Sequence, residues 1–148
     1  MVKKCAWFVL FATMTAGCLD EPDCYQLNNY LVGISFRKLA DSKTDTVAFT
    51  RFGVVEPALL FSNDTTVSRL VLPLNYFKDE TTYFFETATG TRTLQLGYVS
   101  QAQFVSENCG EKFVLSKLRV LQNSFDSVRL VSDTPTQAGN SIQIEIFQ

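Results

Sequence analysis

The side chains that could do chemistry in this sequence are carboxylates, lysines, hydroxyls and four cysteines, and histidine is absent. Without an imidazole the chain cannot form a Ser-His-Asp or Cys-His nucleophile, a His-ligated zinc site or the facial triad of non-haem iron. The sequence also has no glycine-rich phosphate loop. We therefore predict no catalytic residue, no metal site and no cofactor, and expect that the protein is not an enzyme.

Acidic pairs are the remaining candidates for catalysis, because two carboxylates set several ångströms apart suffice to cleave a glycosidic bond. Asp79 and Glu80 lie in "FKDETT", which is typical of a turn, and no acid stands beside a marked aromatic platform. Asp41 and Asp45 in "DSKTD" lack the further oxygen ligands and the glycine of a calcium loop. We interpret both stretches as solvated turns, since acids are mostly exposed unless they are paired.

Residues 1–17 differ in composition from the rest of the chain. Lys3 and Lys4 form a short basic start, and "CAWFVLFATM" has the length of a secretory h-region, too short to span a bilayer. The "TAGC" that follows resembles the lipobox of bacterial lipoproteins, although Thr15 takes the place of the usual Leu. This resemblance implies a lipoprotein signal peptide over residues 1–17, cleavage before Cys18, and acylation of Cys18 that anchors the chain to a membrane without spanning it. An uncleaved or ordinary secretory segment is the alternative.

Removal of residues 1–17 leaves a mildly acidic protein. Without Lys3 and Lys4, 11 of the 13 basic residues face 15 acidic ones, a net charge of −4. Such a chain has no electrostatic reason to seek nucleic acid or anionic lipid, so we expect no nucleic-acid partner. The chain that remains also has no tryptophan and no methionine.

Two cysteines then remain, Cys24 and Cys109. In an exported, oxidising compartment an isolated pair is most simply a disulfide, which here would close a loop of about 86 residues. A free catalytic thiol at Cys109 is a second interpretation, but it has no histidine to hold its thiolate. Two unpaired buried thiols are a third interpretation, and of the three we favour the disulfide between Cys24 and Cys109.

The elements that must position these residues are short strands. From Tyr30 onward, segments rich in Val, Ile, Leu, Phe, Tyr and Thr alternate with Asn, Asp, Ser, Gly and Pro. This spacing predicts an all-β fold, an antiparallel β-sandwich of about nine or ten short strands, immunoglobulin-like or related. We expect residues 18–29 to be an acidic tether and residues 30–148 to be the sandwich domain.

Four local predictions follow from the strand patterns. In "SIQIEIF" the residues Ile142, Ile144 and Ile146 should face inward, and Gln143 and Glu145 outward. Residues 81–100 should form a hairpin with Leu94, Leu96 and Tyr98 inward and Gly90 at a positive φ. Pro73 should mark an edge strand or a strand end. The segment "KFVLSKLRVLQNSF" fits a helical stripe as well as a strand, and we assign it as a strand because its neighbours are strands.

Several motifs resemble an uncharacterised family of small Bacteroidota lipoproteins: "CLDEPDC" after the lipobox, "LPLN", and "SENCGEKF" followed by "NSFDSVRLVS". The resemblance covers essentially the mature chain and implies an exported, lipidated, all-β domain without an assigned activity. Leu19, Asp20 and Glu21 are similar to the acidic signal that brings lipoproteins of this group to the cell surface. We expect an outer-membrane, lipid-anchored protein that faces either the periplasm or the cell surface.

The resemblance also implies candidate O-glycosylation sites, because this group modifies Ser or Thr between Asp and a small or apolar residue. Thr46, Thr65 and Ser127 fit that pattern. The stretch "SNDTTVS" is typical of an exposed turn, which makes Thr65 the best acceptor of the three.

We expect the protein to bind or support an envelope partner, such as an outer-membrane protein, because loops of sandwich folds usually carry contacts. The alternative is a glycan-binding or carboxylate-based glycan-hydrolysing module. That alternative predicts two close acids with a raised pKa, or an exposed row of tyrosines. A spacer without specific contacts is the third possibility.

Overall fold

A computed structural model describes residues 30–107 and 109–148, and within these ranges the chain forms nine β-strands and no helix. The strands are β1 (Leu31–Arg37), β2 (Val47–Val54), β3 (Leu59–Val67), β4 (Arg69–Pro73), β5 (Glu80–Thr87), β6 (Gly90–Ser106), β7 (Gly110–Asn123), β8 (Ser127–Leu130) and β9 (Ile144–Phe147). The predicted all-β sandwich is confirmed. The predicted signal segment and tether, residues 1–17 and 18–29, lie outside the described residues.

The strands form two sheets that pack face to face. One sheet has the order β4-β1-β9-β8, and the other has the order β3-β2-β5-β6-β7. Neighbouring strands run antiparallel except for β1 and β9, which are parallel. These two strands stand at opposite ends of the described chain, so no short hairpin forces them to run in opposite directions.

Aromatic rings from both sheets meet in the core. The ring centroid of Phe36 in β1 lies 5.3 Å from that of Phe49 in β2, and Phe49 lies 5.5 Å from Phe85 in β5. Tilted contacts at these separations suit the quadrupoles of the rings and add to the burial of their surface. The side chains predicted to face inward from the hairpin are at most 1% exposed, as predicted: Leu94, Leu96 and Tyr98.

The prediction that Gln143 and Glu145 face solvent is wrong. They are 0% and 7% exposed, because Gln143, just before β9, lies against β1, and Glu145 on β9 lies between β1 and β8 and contacts an arginine from each. The side chain of Gln143 accepts a hydrogen bond from the backbone N–H of Gly33 at 2.6 Å, and Glu145 pairs with Arg37 and Arg129. A period-2 pattern places side chains on alternate faces of a sheet, but it does not tell whether the face with the polar residues is exposed to solvent.

The ambiguous segment after residue 110 is the strand β7, as predicted, and with β6 it forms a long hairpin. β5 pairs with β6 only as far as Gly97. Beyond that point, residues 99–106 of β6 pair with residues 110–116 of β7, without β5 alongside. These two segments are called the arm below.

The turn predictions are confirmed at three places. Gly90 opens β6 with a φ of 143°, a conformation that side chains rarely adopt. Pro73 ends β4, which is also an edge strand, so its missing N–H costs no hydrogen bond inside a sheet. Asp41 lies in the turn between β1 and β2, where its carboxylate pairs with Lys43 at 3.1 Å.

Candidate functional site

An apolar groove lies between the start of β3 and the end of β4. Its volume is about 280 Å³. β3 and β4 follow each other in the chain and are joined at Ser68, but they belong to different sheets. The two strands therefore separate with distance from Ser68, and the groove lies at their far ends. The lining residues are Val54, Glu56, Pro57, Leu59, Phe61, Pro73, Leu74, Asn75, Phe77 and Thr81.

Two of the three polar side chains that line the groove, Thr81 and Asn75, have hydrogen-bond partners within the protein, and the third, Glu56, lies at the rim. The hydroxyl of Thr81 accepts a hydrogen bond from the backbone N–H of Asn75 at 3.1 Å and is bonded to the hydroxyl of Tyr98 at 2.6 Å. The side-chain carbonyl of Asn75 accepts from the backbone N–H of Phe77 at 3.1 Å. A ligand therefore meets mostly apolar surface, because these polar groups already have partners.

The loop of residues 74–79, called the crossing loop, is held rigidly beside the groove. The hydroxyl of Tyr98 donates to the backbone carbonyl of Asn75 at 2.8 Å, and the hydroxyl of Tyr83 donates to the carbonyl of Pro73 at 2.7 Å. Burial raises the pKa of both tyrosines, so both keep the proton that they donate. The crossing loop thus presents a fixed wall to the groove.

Both strands that flank the groove are sheet edges. In the described part of the chain, β3 pairs only with β2 and β4 pairs only with β1. Leu59 and Leu60 at the start of β3 are 51% and 47% exposed. An edge with open backbone groups and exposed leucines is suited to pairing with an added extended segment.

One ion pair bridges the rim. Lys78 on the crossing loop contacts Glu56, in the turn before β3, at 3.0 Å. The two side chains remain 49% and 77% exposed, so the pair adds little to stability. It marks the polar border of the apolar groove, which is the common arrangement at binding surfaces.

Three further rings form what we call the aromatic ledge: Tyr76, Phe77 and Phe113. The ring centroid of Tyr76 lies 4.3 Å from that of Phe77, and both rings lie 5.4 Å from Phe113 on the arm. Phe77 is 73% exposed. The ledge joins the crossing loop to the arm and continues the apolar surface of the groove.

A second, polar pocket of about 310 Å³ lies beside the β5–β6 turn, where β6 begins, rather than beside the arm. Threonines 46, 87 and 89 line it together with Arg92 and Gln148. The Arg92 guanidinium donates to the backbone carbonyl of Ser124 and lies 4.0 Å from Asp126, so its charge is already engaged. The pocket therefore has no unsatisfied charge to direct a ligand.

The described carboxyl groups with a clearly shifted pKa do not have the raised pKa of a general acid. These groups are Asp41, Glu86 and Glu145, and hydrogen bonds from Lys43, Arg51 and Arg129, respectively, lower each pKa. A general acid needs a raised pKa. None of the four described tyrosines is exposed either.

The structure places the predicted modification sites unequally. Thr46 and Ser127 are exposed, but Thr65 is half-buried within β3, so the prediction of an exposed turn there is wrong. Asp64 takes a φ of 45° and is skipped in the ladder between β2 and β3. Asn63 and Asp64, which are typical of a turn, therefore form a local irregularity within β3 instead of ending the strand.

The predicted cysteine sites lie mostly outside the described residues. Cys18 and Cys24 belong to that part of the chain, so acylation and pairing stay predictions. Cys109 lies at the tip of the arm, where its backbone N–H donates to the hydroxyl of Ser106 at 3.1 Å. Cys109 is not among the residues that line the groove.

Sequence reasoning missed the groove and the ledge. Two local features of the sequence lie at this place: Pro73 in "LPLN", which correctly marked an edge strand, and the "YF" of the crossing loop. Their partners Leu59 and Phe113 come from distant segments, and no spacing rule connects them. Potential metal ligands do not cluster in groups of three or more within the described ranges.

Residues 30–107 and 109–148 contain no helix with the length and apolarity needed to cross a membrane. A family model described as a family of unknown function (DUF6452) matches residues 48–148, from the second residue of β2 to the end of the chain. The match omits β1, although β1 lies between β4 and β9 in the sheet. No curated protein and no solved structure matches the chain.

Proposed function

The chain belongs to the DUF6452 family, whose function is unknown, and we propose that it is a lipid-anchored cell-envelope protein that binds an extended apolar segment of an outer-membrane partner. The signal segment over residues 1–17 and the acylated Cys18 supply the membrane anchor. The sandwich supplies the binding surface. The apolar groove between β3 and β4 is the observation that carries this proposal.

Three properties of the groove support a polypeptide ligand. Its wall polar groups are already bonded, its flanking strands are edges, and Leu59 is exposed in its lining. An extended segment can pair its backbone with an edge strand while it places alternate side chains in an apolar pocket. A sugar would instead need unpaired polar groups to replace its lost water.

The proposal also includes a disulfide between Cys24 and Cys109. It would attach the anchored end of the chain to the tip of the arm. A two-stranded ribbon alone is at best marginally stable in water, so a covalent attachment at its tip would hold the arm in place. An exported compartment provides the oxidising conditions that the bridge requires.

Photo-crosslinking in intact cells tests the binding site. The photoreactive residue p-benzoylphenylalanine replaces Leu59 in the full chain, and irradiation should give an adduct with one membrane protein, joined through an apolar segment. The matched control places the same residue at Val131, which is 53% exposed and lies outside the groove lining. Equal adducts from both positions, or no adduct from Leu59, would contradict the proposal.

Fractionation of the Cys18→Ala variant tests the anchor separately. The unsubstituted protein should fractionate with the membrane and carry the mass of its acyl chains, and the variant should lose both properties. A variant that stays in the membrane fraction as before would show that Cys18 is not the anchor, whatever the groove binds.

A further inference from the structure

The chain enters the described domain at the root of the arm. The backbone carbonyl of Tyr30 accepts a hydrogen bond from the N–H of Leu74, the first residue of the crossing loop, at 2.9 Å. At the other end of that loop, the carbonyl of Asp79 accepts from the N–H of Tyr98 at 2.9 Å, where the arm begins. Tyr30, the first described residue, therefore lies beside the crossing loop.

The aromatic ledge lies between that starting point and the tip of the arm. The hydroxyl of Ser100 donates to the carbonyl of Tyr76 at 2.6 Å and fixes the crossing loop to the arm. Phe113 stands four residues from Cys109 along β7, a distance of about 13 Å. A chain that runs from Tyr30 to the tip must pass over Phe77 and Phe113 or close to them.

The length of the preceding segment suits this path. Cys24 is six residues before Tyr30, and an extended chain of that length spans about 20 Å. The segment "CYQLNN" has two large apolar side chains, Tyr25 and Leu27, and carries no charge. The ledge is also uncharged, and its most prominent ring, Phe77, is 73% exposed.

We propose that residues 24–29 dock on the aromatic ledge, with the side chains of Tyr25 and Leu27 covering Phe77 and Phe113. The proposal takes its direction along the arm from the proposed Cys24–Cys109 bridge, and to that extent it rests on the proposed function. Residues 24–29, called the strap, are then held against the domain by these contacts. The face of Phe77 that lines the groove stays available, because the strap covers the face toward the arm.

Crosslinking from the ledge tests the strap in the full, lipidated chain. With p-benzoylphenylalanine in place of Phe77, irradiation should join this position to residues 25–29 of the same molecule, as read by peptide mass spectrometry. The same photoreactive residue at Val131 should give no adduct with residues 25–29. Adducts from position 77 only with another protein or a second copy, or no adduct at all, would overturn the proposal.

The same samples separate this inference from the proposed function. Non-reducing digestion reports the Cys24–Cys109 bridge independently of the crosslink. A bridge without the crosslink overturns the docking alone, and a crosslink with free thiols supports the docking while it removes the bridge. Neither result bears on adducts from position 59, which report the partner.

Hydrogen exchange gives a second measurement that needs no photoreactive residue. In the Tyr25→Ser/Leu27→Ser double variant, the amides of residues 76–78 should exchange at least about tenfold faster, because the ledge loses its cover. The matched control is Gln26→Ser/Asn28→Ser, which changes the same segment without removing apolar side chains. Unchanged exchange in the first variant, or equal acceleration in both, would contradict the docking.

Discussion

Glu145 is held between two guanidinium groups in the middle of a sheet. Its carboxylate lies 3.0 Å from Arg37 on β1 and accepts a hydrogen bond from the Nε of Arg129 on β8 at 2.9 Å. The hydrogen bonds from Arg129, followed by the charges of both arginines, keep the pKa of Glu145 below its ordinary value of 4.5. Arg129 also lies over the ring of Phe147, 5.5 Å from its centroid.

This arrangement predicts how acid affects stability. Because the folded state lowers the pKa of Glu145, its stabilising contribution is complete above the unfolded-state value near 4.5 and is lost as the pH falls through the lower folded value. Replacement by Gln should lower the free energy of unfolding at pH 7 by about 1–3 kcal/mol, since it leaves two arginines without their carboxylate. Denaturant titrations at pH 7 and pH 3 should show a smaller acid-induced loss in the variant.

Glu86→Gln is the matched control for that experiment. Glu86 also pairs with an arginine, Arg51, at 2.6 Å, but both side chains are on the surface. Its loss should change the free energy of unfolding much less than the loss of Glu145. Equal effects of the two substitutions would show that the burial of Glu145 is not what makes its ion pairs important.

Tyr98 determines the position of the crossing loop. Its hydroxyl bonds both the Asn75 carbonyl and the Thr81 hydroxyl, and the residue is 1% exposed. Tyr98→Phe should lower the free energy of unfolding by about 2 kcal/mol, because two buried groups lose a partner. The variant should also weaken the Leu59 crosslink to the partner, as measured by adduct yield. An unchanged yield in a folded variant would show that the groove does not need this anchor.

At the scale of elements, β1 and β9 make the least predictable pairing of the fold. The C-terminal segment approaches β1 so closely that a Cβ at Gly33 would stand 2.0 Å from the backbone carbonyl oxygen of Ser141. The backbone N–H of Gly33 donates to the side-chain carbonyl of Gln143 at 2.6 Å. The backbone carbonyl of Gly33 accepts from the backbone N–H of Gln143 at 2.9 Å. The absence of a side chain at this position therefore allows the two strands to meet.

Gly33→Ala should lower the free energy of unfolding by about 1–3 kcal/mol, because backbone must shift to admit the methyl group. Gly97→Ala is the control, because the atoms nearest to a Cβ there belong to the side chain of Leu121, at 3.0 Å, and that side chain can move aside. Thermal denaturation of both variants should show the larger loss for Gly33. A larger loss for Gly97 would contradict the close approach of β1 to the C-terminal segment.

Most strands of this fold could be predicted from the sequence, but their extents could not. The alternation around Leu94 and Leu96 fixed both the strand and its buried face, because one face packs on the core. The stretch around Asp64 was predicted to be a turn, and the hairpin was predicted to end at residue 100, although β6 continues to Ser106. Long-range pairing with β2 and β7 extends the strands through both, because ladder hydrogen bonds outweigh weak local turn signals.

At the scale of the whole molecule, the proposed bridge at the tip of the arm has a measurable effect. Replacement of Cys109 by Ser should lower the free energy of unfolding of the oxidised chain by about 2–5 kcal/mol, because the loop of about 86 residues is no longer closed. A reducing agent should produce the same loss in the unsubstituted protein and none in the variant. Equal stability of the two chains under oxidising conditions would show that no bridge is formed.

The sequence by itself determined the all-β class, the hairpin with Gly90, the edge at Pro73 and the exclusion of histidine chemistry. These features depend on local periodicity, on backbone conformations available to single residues, and on composition. The tertiary structure decided the burial of Gln143 and Glu145, the parallel pairing of β1 with β9, and the groove. Each of these depends on which distant strands become neighbours, and that choice is made by packing over the whole core rather than by any short stretch of chain.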